Sequence, residues 1–212
     1  CRGEGGTPLD MVDLLRSGGW LMLPLLALSV VALVIIIERL IALRTGRILP
    51  PNLVAAVESD IHRGDLTQAR ERLSSNHSAL AAVLASGLRC TGLSREVIKE
   101  SIEETGRREV ADLGRYLNLL GTIAAISPLL GLLGTVIGMI KVFEAITAQG
   151  LGDPSVLAGG IAEALLTTAF GMSIAIPTVA MHRYFNAKLD RLAIDMEQSA
   201  LRVVEIIHGD RP

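Results

Sequence analysis

One carboxylate inside an apolar run constrains this chain more than any other feature. The stretch from Gly159 to Gly171, GGIAEALLTTAFG, opens a run that stays apolar to about Met181. A helix needs ~20 such residues to cross the hydrocarbon core of a bilayer. Glu163 lies inside that run, with Thr167 and Thr168 close behind it. A charge at the bilayer centre costs ~2.5–3.5 kcal/mol on insertion scales, so such a residue faces protein or a wet cavity and is functional by default. The alternative is a Glu near a helix end that reaches the headgroups, since Glu163 is only a couple of turns from the polar segment near Asp153.

The rest of the composition agrees with a lipid setting. Half of the residues are hydrophobic but only 3% are aromatic. The excess is Leu, Ile, Ala and Gly, which suits closely packed membrane helices. A net charge of −2 does not suggest a nucleic-acid partner. Cys1 and Cys90 make no disulfide framework and no metal spacing. The four histidines, His62, His77, His182 and His208, are scattered and read as solvated or structural, so no metal or cofactor is expected. The chain starts at Cys1 rather than Met, which leaves a trimmed, processed or lipidated start open.

Two more apolar runs complete an all-α, integral membrane reading with three transmembrane helices. Residues 1–18 form a polar segment with a short amphipathic piece (Leu9, Val12, Leu14, Leu15). The first span covers 19–38, with Trp20 as an interfacial anchor and Pro24 tolerated near its start. A helical insertion occupies 39–116, the second span 117–143, a short loop 144–155, the third span 156–181, and an amphipathic helix 182–212. Within the insertion, helices are expected over 51–63, 65–74 and 78–89, with Gly64 as a breaker and Asp65 and Gln68 at capping-box spacing. Ser94 is placed to cap a charged helix carrying Glu103–Arg107 and Glu104–Arg108 pairs, which is expected to run straight into the second span.

Lys and Arg set the orientation. They crowd the region from Arg39 to Arg115 and the tail after the third span, whereas the loop between spans two and three has only Lys141 near it. The N-terminus and that loop are therefore expected outside, and the insertion and C-terminus in the cytoplasm. In span two, Gly131, Gly134 and Gly138 form a seam at which helix backbones can approach, and Ser127-Pro128 is a candidate kink. In span three, Glu163, Thr167, Gly171 and Ala175 lie on one stripe, while Thr168 is rotated well away from Glu163. Polar groups on two faces suit a helix that meets two neighbours in a ring of subunits. For Thr167, a bond back to its own helix is the plain alternative. An intramembrane enzyme is not expected, because no His lies inside a span and Ser127 and Ser173 have no base.

Two motifs carry a family resemblance. LLGLLGTVIG, from Leu129 to Gly138, and GIAEALLTTAFG, from Gly160 to Gly171 and on to Pro177, resemble the second- and third-helix motifs of the MotA/TolQ/ExbB proton channel family. Three spans rather than four favour its ExbB or TolQ branches over the flagellar one, with ExbB first. The resemblance implies a homopentamer in the bacterial inner membrane, built around an ExbD-like or TolR-like single-span protein that supplies a membrane aspartate. It implies that proton flow is passed as work to a TonB-like or TolA-like protein, energising outer-membrane transport or, on the TolQ side, the Tol-Pal envelope system. It matches Thr135 and Thr168 to pore-facing threonines and Glu163 to the family's membrane glutamate. Thr167 departs from the pattern, where a small apolar residue is usual. A stand-alone channel or a scaffold is the remaining alternative.

Overall fold

The computed structural model describes residues 19–149 and 154–207, and every regular element among them is a helix. The helices are α1 (Met22–Ala42), α2 (Thr45–Ile48), α3 (Leu53–His62), α4 (Leu66–Ser74), α5 (Ala79–Arg89), α6 (Arg95–Leu113), α7 (Leu117–Gln149) and α8 (Pro154–Ile207). Three of them, α1, α7 and α8, are long and apolar enough to cross a membrane. The amphipathic piece expected within 1–18 lies outside the described residues.

The chain divides into two compact units. The first joins the chain up to Ile36 with Asn118–His182. Within it α1 turns Met22, Leu25, Ala32 and Ile35 inward and leaves Val30, Leu33 and Val34 exposed. An apolar outer face of that kind suits lipid rather than water. Pro128 and Pro177 lie inside α7 and α8, which continue past them.

The second unit joins Ile37–Leu117 with the chain from Arg183 onward. Its core centres on α5, where Leu80, Val83, Leu84 and Leu88 are buried and where Gly87 lets Ile102 and Ile98 of α6 come close. The Asp65 carboxylate accepts from the Gln68 N–H at 2.9 Å and starts α4, and Gly64, at φ +75°, makes the turn before it. Ser78 caps α5 by accepting from Ala81 N–H at 3.2 Å. Ser94 holds the N-cap position of α6, but its hydroxyl makes no cap bond. Glu103 and Arg107 pair at 3.3 Å; Glu104 and Arg108 form no ion pair among the described residues. The C-terminal half of α8 buries Phe185, Leu189, Leu192, Met196, Ala200 and Val203 on one stripe, the repeat of an amphipathic helix.

The structure corrects three boundaries. The charged helix does not run into the second span: α6 stops at Leu113, and Gly114, Arg115 and Tyr116 turn the chain before α7. The buried Arg39 holds that break, donating to the Leu113 carbonyl at 2.5 Å and lying 5.1 Å from the Tyr116 ring. A helix C-terminus has unsatisfied carbonyls, and a guanidinium supplies donors for them. The expected loop 144–155 is mostly helix, since α7 continues to Gln149 and α8 starts at Pro154, leaving only 150–153 outside the described residues. The third span and the amphipathic helix after it are one helix of 54 residues.

Asp60 on α3 generates a prediction for the second unit. Its buried carboxylate accepts from Arg72 Nε at 2.9 Å and from Arg63 Nη2 at 2.5 Å. The hydrogen bond from Arg72 holds the carboxyl below its usual range, against a desolvation penalty that pushes it up, and the charges of Arg72 and Arg63 add to the lowering. A depressed carboxyl stabilises the fold above its unfolded pKa of ~3.9, and that contribution is lost as pH falls through the folded value. The thermal midpoint in detergent should therefore fall on acidification from about pH 4 downward. Asp60→Asn should lower the midpoint near neutral pH and flatten that acid decline; an unchanged acid profile in Asp60→Asn would refute the assignment.

Candidate functional site

The candidate site is the hairpin of α7 and α8 within the first unit. The two helices run antiparallel, and glycines set their separation. A Cβ on Gly131 would stand 3.1 Å from both the Thr167 carbonyl and the Thr168 Cα, and one on Gly138 would stand 2.8 Å from the Ala164 Cβ. At Gly134 it would meet Thr167 Cγ2 at 2.5 Å, and at Gly171 the Ser127 carbonyl at 2.6 Å. Cβ atoms do not approach closer than 3.0 Å, so Gly134, Gly138 and Gly171 admit no side chain at this spacing, and at Gly131 the neighbouring backbone would have to give way. Gly160 belongs to the same seam, facing Val142.

Gly131, Gly134 and Gly138 are read from sequence as a seam at which helix backbones can approach, and the helix that approaches is α8 of the same chain. Thr167 and Gly171 of the third-span stripe are buried against that seam, and Ala175, one turn further along, is buried as well. A small-residue motif says that a helix comes close and does not say which helix.

The hydroxyls bond mainly to their own helices. Thr167 Oγ1 donates to the Glu163 carbonyl at 2.6 Å, Thr135 Oγ1 to the Leu132 carbonyl at 2.7 Å, and Ser127, Ser173 and Thr178 each to the carbonyl four residues back. Thr168 differs. Its Oγ1 donates across the hairpin to the Gly131 carbonyl at 2.9 Å and so ties α8 to α7.

Glu163 is paired. Lys141 Nζ on α7 donates to Glu163 Oε1 at 2.6 Å, with 47% of the lysine side chain and 20% of the glutamate side chain exposed. On its other side the same oxygen abuts Gly19, just before α1, where any Cβ would collide with it and where φ is +70°. Glu163 is thus level with the Trp20 end of α1. His182, whose ring covers Gly121, is 19 residues further along α8, which is ~28 Å at 1.5 Å per residue. That is close to the ~30 Å of a hydrocarbon core. Between Glu163 and His182 no ionisable residue occurs on α8, and none occurs on α7 from Leu117 to Ile140. The carboxylate therefore stands toward one end of the apolar stretch, nearer to the helix-end alternative than to a mid-bilayer position.

Lys141 and Gly19 are the residues that sequence reasoning missed. Lys141 enters there only as a charge near a loop. The signal that could have found it is the register: once Gly138 is set against Ala164, a residue three further along α7 comes level with Glu163. Among the described residues, no group of three or more His, Cys, Asp or Glu is placed to hold a metal ion.

The comparisons with known proteins bear on this hairpin directly. The model of the MotA/TolQ/ExbB proton channel family matches residues 68–198, which include both motifs. The chain is 37% identical over 182 residues to a Synechocystis relative named as a putative biopolymer transport protein, ExbB-like 1, covering 82% of this chain and 69% of that one. It is 28% identical over 186 residues to a putative ExbB homolog of Methanothermobacter thermautotrophicus, covering 87% of this chain and 65% of that protein's length. It is also 39% identical over 113 residues to the biopolymer transport protein ExbB of Salmonella typhimurium, covering 51% of this chain and 46% of that one. The chain thus spans about two thirds of the first two relatives and under half of the third.

The seam generates a prediction about stability. Gly171→Ala forces a methyl onto the Ser127 carbonyl, which is backbone and cannot rotate away. Overpacking of this kind costs ~1–3 kcal/mol. Gly159, also inside α8, has open space where its Cβ would be, so Gly159→Ala should keep stability or raise it by up to ~1 kcal/mol through helix propensity. Thermal unfolding in detergent checks the contrast, and equal midpoints for the two variants would show that the hairpin is not close-packed at Gly171.

Proposed function

This chain belongs to the MotA/TolQ/ExbB proton channel family, and from that premise we propose that it is an ExbB-like subunit of a proton-driven inner-membrane motor. Its N-terminus is periplasmic and its C-terminus cytoplasmic, in line with the Lys and Arg distribution. It assembles as a homopentamer around an ExbD-like single-span protein and passes work to a TonB-like protein that energises outer-membrane transport. The observation that carries this reading is Glu163. It is the single carboxylate on α7 and α8 between Leu117 and Lys141 and between Leu157 and Met181, in a hairpin whose other polar side chains over those ranges are hydroxyls, the Asn118 amide and the Lys141 ammonium.

The chemistry needed is modest. Glu163 accepts a proton from water at one end of the stretch and returns it to the next carrier. Thr135 and Thr168 orient water but do not exchange protons near neutral pH. No second carrier is present on α7 or α8 over the ~28 Å to His182. A lumen lined by Gly, Ala, Leu and Thr dewets and conducts poorly when empty. The membrane aspartate of the single-span partner supplies the missing carrier.

Reconstitution tests this reading. The chain alone in liposomes should pass few protons under an imposed pH gradient, and co-reconstitution with the single-span protein should raise the flux. Glu163→Ala in the co-reconstituted complex should reduce flux to that of protein-free liposomes while native mass spectrometry still finds the pentamer. Wild-type flux from Glu163→Ala, or robust flux from the chain alone, would reject the mechanism.

A further inference from the structure

The helix geometry separates Glu163 from the two threonines with which it is proposed to work. Glu163 and Thr168 are five residues apart on α8, which is about 140° around a helix of 3.6 residues per turn. Lys141 and Thr135 are six apart on α7, or about 120°. The glycine seam lies between the members of each pair, with Gly134 and Gly138 on α7 and Thr167 and Gly171 on α8. The hairpin consequently has two flanks. Thr135 and Thr168 lie along one, and Lys141 and Glu163 along the other, where Gly19 also stands.

From this arrangement, which rests on the proton-path reading above, we propose that Lys141 is a positioning residue. Its ammonium latches the Glu163 carboxylate on the flank away from Thr135 and Thr168, and Glu163 is released to take up and pass on protons when that ion pair opens. Three observations support the latch. The pair is short, at 2.6 Å. The carboxylate oxygen that Lys141 holds is the one that sits against Gly19, where only the absence of a side chain gives it room. The lysine is about half exposed, so water and salt can reach the pair and open it. Exposed pairs are weak, which suits an interaction that must open in each cycle.

The test uses the chain co-reconstituted with its single-span partner, with proton flux followed by a pH dye inside the liposomes. Lys141→Gln should raise flux about two- to fivefold, the factor lost with a pair of this exposure. Lys141→Arg, which keeps the charge, should restore flux toward wild type. Flux through the wild type should rise with ionic strength, and flux through Lys141→Gln should not. A lysine with only a structural role would lower flux when replaced and would confer no such salt dependence. Unchanged or reduced flux in an assembled Lys141→Gln pentamer overturns the latch. If that variant fails to assemble, a wild-type flux that does not rise with salt overturns it instead. Glu163→Gln serves as the separate control. Wild-type flux in that variant sinks the proton-path reading itself, whereas loss of flux there, with no gain in Lys141→Gln, sinks the latch alone.

Discussion

Close backbone approach between α7 and α8 is the constraint on which the rest of the membrane unit depends. At Gly131 and Gly171 the neighbouring atoms are main-chain atoms, so the helix separation is fixed by peptide geometry rather than by adjustable side chains. In lipid there is no hydrophobic drive between helices, and association comes from packing and hydrogen bonds. This seam has both, because the approach that glycine permits brings Thr168 Oγ1 within 2.9 Å of the Gly131 carbonyl. The same register sets Lys141 beside Glu163. One larger residue in the seam would disturb the packing, the crossing hydrogen bond and the ion pair together.

The second unit is held by different physics. Here the buried stripe of α8, the closely packed α5 and the Asp60 pairs with Arg63 and Arg72 hold a helical unit with a core of its own. Arg39 is the notable case. It is a buried cation, yet its guanidinium is matched by the Glu38 carboxylate, the Leu113 carbonyl and the face of Tyr116. A buried charge is tolerable when its donors are met in this way.

The sequence makes the spans legible because apolar length is a one-dimensional property: twenty apolar residues read the same in any context. Helix ends are harder. Residues 144–149 contain neither glycine nor proline to stop α7, and the loop expected there rests on Gly150, Gly152 and Pro154, which come later. The break at Gly114 is hidden for the opposite reason, since a lone glycine inside a charged helical pattern is usually tolerated. The capping spacing of Asp65 and Gln68 is readable because it is local. The partner of the glycine seam, the crossing bond of Thr168 and the pairing of Lys141 are not readable. Each depends on how two helices are set against one another, which no single helix encodes.

The bond from Thr168 to Gly131 has a consequence for polarity. A threonine hydroxyl has one hydrogen to give and two lone pairs to offer. Thr168 gives its hydrogen to the Gly131 carbonyl and Thr135 gives its own to the Leu132 carbonyl. On the flank they share, both side chains therefore present lone pairs alone. Water touching them must point its hydrogens toward the wall and its oxygen away. These two hydroxyls thus offer acceptors to a cation and no hydrogen to an anion, because both of their hydrogens are already given to carbonyls of α7.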